Sequence, residues 1–247
     1  DLLMEYQRFF RVNFEDRVSG AYYSLISKPD GYKNIIIVLV LLSTECTLEN
    51  IIQLKELHRN FEVSYENIIS IEAIYQLREK DKNGLKKCYP YYSDGEFYVR
   101  GRYKFEYMLN WIIENVGIDI YGDEIENIEI SISYDDIRNG INRSLERYGN
   151  ESKCEDYSNQ EKTIDVIIKL SQILYVINEK SIITKDDALK YVLTKYKQEW
   201  TSVIKEAQCI LKDKANKEMF SLDIEERKKH IADYISCIRN ELTTLKL

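Results

Sequence analysis

The chain has 247 residues, 44% of them hydrophobic and 31% charged, and a formal net charge of -7. This is the composition of a soluble globular protein long enough for one large domain or two modest ones. The acidic balance argues against nucleic acid as a partner. The longest apolar run, Ile35 to Leu42, is far too short to span a bilayer, so no membrane partner is expected. Five cysteines occur without CxxC spacing, which points to reduced thiols in a cytoplasm and away from a disulfide framework or a zinc site.

Leu2 to Phe14 reads as a helix with Leu3, Tyr6, Phe9 and Phe10 on one side. Val18 to Ile26 is a short apolar segment, and Ser27 to Gly31 is a turn containing Pro29 and Asp30. Ile35 to Leu42 is continuous and largely β-branched, the pattern of a strand buried on both faces. Thr47 to Arg59 predicts a helix capped by Thr47, with Asn50 three residues on. Phe61 to Tyr65 alternates apolar with polar and reads as another strand. Lys80 to Gly95 is polar and turn-rich, and predicts a surface loop. Tyr103 to Asn115 predicts a helix stopped by Gly117, and Ile118 to Tyr121 a short apolar segment ended by Gly122.

After residue 132 no strand is expected. Three capping signatures, Ser133 with Asp136, Thr184 with Asp187 and Asp223 with Glu226, each open a helix. The first of these helices is expected to end near Tyr148, before a polar loop from Gly149 to Gln160. Thr163 to Asn178 has helical apolar spacing, and a further helix runs from Trp200 to about Lys214. The pattern predicts an α/β (α+β) protein: a mixed sheet with flanking helices over residues 1–125, then a helical bundle of about five helices over residues 126–247. His58 and His230 are expected on the surface, Trp111 in the core, and Arg227 to His230 on a solvated helix face.

Leu174-Tyr175, Lys180, the run from Ile183 to Ala188, and Trp200 to Ala207 resemble the C-terminal helical domain of the streptomycin and spectinomycin adenylyltransferases. Asn115 to Gly122 is similar to the family's segment entering that domain. The resemblance covers roughly residues 15 to 215. It implies a nucleotidyltransferase-like first domain, transfer of AMP from ATP to an antibiotic hydroxyl with magnesium, and a small-molecule site in a cleft between the domains.

The same resemblance asks for two aspartates, one residue apart on a buried strand, after a Gly-Ser pair that cradles phosphate. Here Asn34 and Ile36 stand at the aspartate positions, and Ser24 has no glycine directly before it. The metal-binding carboxylates are missing. The expectation is therefore a catalytically degenerate adenylyltransferase-like scaffold that binds a small-molecule ligand or a protein partner, with no metal site and an unknown cofactor. Ser24 and Asn34 are the candidate cofactor contacts. Glu62, in Phe61-Glu62-Val63, resembles the family's general base, or is a polar residue alternating in an edge strand. Asp186 matches an acid near the drug site by resemblance, and reads as a helix cap by its own sequence context. Leu174 replaces the family's drug-stacking tryptophan. The runner-up is an active divergent enzyme using ATP and magnesium, with Asp30, Asn34 and Glu62 as an altered metal set.

Overall fold

The computed structural model describes residues 2–28, 32–65, 69–78, 88–128, 132–154, 159–212 and 222–244. These form two compact units, Asp1–Ile132 and Ser133–Leu247.

The first unit is built on a six-stranded sheet of order β5-β4-β3-β2-β1-β6. Its strands are β1 Val18–Ile26, β2 Asn34–Leu42, β3 Ile69–Leu77, β4 Tyr89–Ser93, β5 Glu96–Gly101 and β6 Ile118–Gly122. β2 and β3 are parallel, and every other neighbouring pair is antiparallel. The apolar run of β2 follows from cover on both faces. One face packs Ile36, Val38 and Val40 with Tyr6 and Phe10 of α1 (Leu2–Asn13) and Leu54 and Phe61 of α2 (Leu48–Tyr65). Ile35, Ile37 and Leu39 alternate to the other face, where α3 (Glu106–Val116) lies against β1 and β2. Each such buried aliphatic side chain contributes about 1.5–3 kcal/mol.

The structure corrects several expectations. Phe61 to Tyr65 is not a strand but the last part of α2. Buried Ile51, Leu54, His58 and Phe61 recur at spacings of three, four and three, so the helical stripe runs through the segment. His58 occupies one position of that stripe. It is fully buried instead of exposed, its Nε2 lies 2.7 Å from the Tyr75 hydroxyl, and its ring stacks on Tyr92 at 4.2 Å. Part of the expected loop from Lys80 to Gly95 is the hairpin arm β4, while residues 79–87 lie outside the described residues. The β4–β5 turn places Asp94 at φ 53° and Gly95 at φ 80°, the left-handed pair that a two-residue hairpin turn requires.

The second unit contains α4 Tyr134–Cys154, α5 Gln160–Glu179, α6 Lys185–Lys195, α7 Thr201–Lys212 and α8 Ile224–Thr244. α4 continues through Gly149 to Cys154, where a loop was expected. All three capping signatures form. Ser133 Oγ accepts from the Asp136 N–H, Thr184 Oγ1 from that of Asp187, and Asp223 Oδ1 from that of Glu226. α5 is buried on nearly all sides, and its Ser171 hydroxyl accepts from Tyr234 of α8 at 3.0 Å. Arg227 is buried, its Nε bonded to the Leu222 carbonyl, so the Arg227 to His230 run is not a uniformly solvated face. His230 and Trp111 are both half-buried.

Candidate functional site

The parallel pairing of β2 and β3 sets Ile37 level with Glu72, and the β1–β2 pairing sets Ser24 level with Ile37. Paired residues point to the same face. A row Ser24–Ile37–Glu72 therefore crosses the three central strands on the side of α3. Glu72 is 4% exposed, at the point where β3 passes the β4–β5 turn. Its Oε1 accepts from the Asp94 N–H at 3.3 Å, and its Oε2 has no hydrogen-bond partner among the described residues.

Burial pushes the Glu72 carboxyl up to about 8, and the Asp94 carboxylate adds to the effect; Ser93, Lys104 and Tyr103 act the other way. Lys104, just before α3, lies 3.8 Å from Asp94, whose side chain is largely withdrawn from solvent. Glu72 is thus biased toward its neutral acid form, beside the Asp94–Lys104 ion pair.

The expected site residues are placed differently. Ser24 is buried and stands in the Glu72 row. Asn34 opens β2, where its Oδ1 accepts from the Lys28 N–H at 2.9 Å and so ties the two ends of the β1–β2 connection. Alternation puts Asn34 on the face of Ile36, opposite Glu72. Glu62 is exposed on α2, where its Oε2 accepts from the Tyr92 hydroxyl at 3.2 Å; the strand it was expected to occupy does not exist. Asp30 lies outside the described residues. Asp186 is exposed in the first turn of α6, whereas its neighbour Asp187 is buried and takes the capping contact with Thr184 at 2.9 Å. Of these residues the structure brings only Ser24 into line with the buried glutamate.

Glu72 itself was missed. Its signal was present in Ser70-Ile71-Glu72-Ala73-Ile74-Tyr75, an alternating β-branched segment immediately after α2.

Magnesium takes hard oxygen ligands, typically with at least one or two ionised carboxylates. On the face of Glu72, β2 offers Ile35 and Ile37; on the opposite face it offers Asn34 and Ile36. Among the described residues no group of three His, Cys, Asp or Glu side chains is placed to hold a metal ion. The donor set of the described residues does not fit a catalytic magnesium.

Residues 130–236 match the family described as aminoglycoside adenylyltransferase, C-terminal domain. The fold of the chain is similar to that of a spectinomycin adenyltransferase from Enterococcus faecialis solved with ATP and spectinomycin, with a TM-score of 0.56, 14% identity and 98% of each chain covered. Residues 130–236 are aminoglycoside adenylyltransferase-like. No curated protein matches it. The family match runs from just before α4 to the middle of α8. The sheet carrying Glu72 is related to the solved enzyme by fold.

Proposed function

We propose that the protein is a catalytically degenerate, nucleotidyltransferase-like scaffold that binds a small-molecule ligand or a protein partner without transferring AMP. The observation that carries this reading is the Ser24–Ile37–Glu72 row, where an aliphatic side chain stands between the serine and the glutamate. Phosphoryl-type transfer depends on metal ions that neutralise charge and align the attacking oxygen. A general base removes a proton but supplies neither effect. Fold alone does not establish activity, so the reading rests on the site.

Glu72 takes over from Glu62 as the counterpart of the family's strand glutamate, because it lies on the strand parallel to β2. Held neutral, it is suited to donating a hydrogen bond to a ligand and poorly suited to accepting a proton from one. The relative solved with ATP and spectinomycin makes a nucleotide or an aminocyclitol the first ligands to try.

The test is incubation with ATP, magnesium and spectinomycin or streptomycin, followed by mass spectrometry of the drug. No adenylylated product is expected. Product formation that disappears in Glu72→Gln would overturn the reading and establish an active divergent enzyme.

A further inference from the structure

α8 carries two stripes of helical period. Ile231, Tyr234, Ile235, Ile238 and Leu242 form the buried one. Beside it run Asp233, Ser236, Cys237, Asn240 and Glu241, which repeat the same spacing with polar side chains and line a cavity of about 470 Å³. That volume falls within the roughly 300–1,000 Å³ of small-molecule sites. The facing wall is the segment between α6 and α7, contributing Tyr196, Gln198 and Trp200.

The walls are fixed from behind. Trp200 is 6% exposed and stacks on buried Tyr234 at 4.3 Å and 13°. Tyr196 packs against Trp200 at 5.8 Å, accepts from Asn178 Nδ2 at 3.0 Å and donates to Glu241 Oε1 at 3.2 Å, which holds that carboxylate at the cavity wall. Among the described residues the lining contains two carboxylates and no lysine, arginine or histidine. Its field therefore selects a cation and repels phosphates. Asp233 and Glu241 are eight residues apart on one helix, about 12 Å along its axis at 1.5 Å per residue. A compact monocation meets one of them. An extended chain with an amine at each end meets both and lays its methylenes along the aromatic wall.

We propose that this groove binds a linear polyamine, with one ammonium group at Asp233, another at Glu241, and the chain between them against Trp200 and Tyr196. The site lies wholly within the helical unit and is independent of Glu72, so it stands or falls separately from the proposed scaffold function.

The probe is spermidine, titrated into the full chain carrying Trp111→Phe. Trp200 is then the single tryptophan of the two present in the sequence. A saturable change in its fluorescence is expected. The affinity should fall about tenfold in the Asp233→Asn/Glu241→Gln double variant, fall with added salt, and fall likewise for 1,3-diaminopropane, which is too short to span both acids. Should Trp111→Phe fail to fold, the unmodified chain supplies a second readout. Spermidine should then slow alkylation of Cys237, which lines the groove, and leave exposed Cys209 unaffected, as read by peptide mass spectrometry. Absence of both saturation and protection, or an affinity unchanged in the double variant, would overturn the proposal.

Discussion

Ile37 stands level with Glu72 on the adjacent parallel strand, and both point to the α3 side of the sheet. An aliphatic neighbour cannot share a metal with a carboxylate, and it withdraws solvent that would otherwise stabilise the ionised form. The relationship therefore accounts both for the raised pKa of Glu72 and for the donor set that fails to fit magnesium.

The first prediction concerns alkaline pH. The Glu72 carboxyl is raised from 4.5 in the unfolded chain to about 8 in the folded one. Its favourable contribution is complete below pH 4.5 and is lost as pH rises through 8. Glu72→Gln should remove that loss, which is on the order of a few kcal/mol. Urea midpoints of the two proteins at pH 5 and pH 8.5 provide the check, and the gain from the substitution should be larger at pH 8.5.

His58 acts in the opposite direction. Burial lowers its pKa from 6.5 to about 3, so its contribution is present above pH 6.5 and is lost as pH falls toward 3. His58→Leu should flatten the acid limb of the stability profile between those values. It should also lower stability near pH 7 by about 1–3 kcal/mol, because the Tyr75 hydroxyl loses its buried partner. Thermal melts across pH 4 to 7 would reveal both effects.

Two glycines with positive φ should respond unequally to alanine. At Gly122 (φ 84°) a Cβ would lie 2.3 Å from the backbone oxygen of Ser19, which cannot move without breaking into β1. At Gly95 (φ 80°) the obstacle is the end of the Glu62 side chain at 2.8 Å, which can swing away. Gly95→Ala should cost about 1 kcal/mol from backbone strain. Gly122→Ala should cost more, as measured by the drop in denaturation midpoint.

Thr184→Ala should destabilise the helical unit by about 1 kcal/mol through loss of the α6 cap. Asp186→Ala, with no part in that cap, should change stability little. Chemical denaturation of the two variants separates these roles.

The helical half was readable in the sequence because three of its helices, α4, α6 and α8, open on a cap such as Thr184 with Asp187, and α5 carries an apolar stripe of helical period. The strand β2 was readable because both its faces are covered, leaving eight apolar residues in a row. The region around the site was less legible. A histidine at position 58 hides a buried stripe position, because nothing in its identity reveals that Tyr75 will satisfy one nitrogen and Tyr92 will stack on the ring. With the stripe broken there, Phe61 to Tyr65 passes for a strand and Glu62 for a strand residue. The face on which a strand residue lies is likewise a matter of register. Asn34 and Ile36 lie on the face opposite Glu72 once β3 is placed beside β2.

Calorimetric titration of ATP into the purified protein, with and without magnesium, asks whether the protein has a magnesium-dependent nucleotide site. Magnesium should add nothing to whatever nucleotide binding is seen, including none at all. Tight ATP binding that requires magnesium would contradict that expectation.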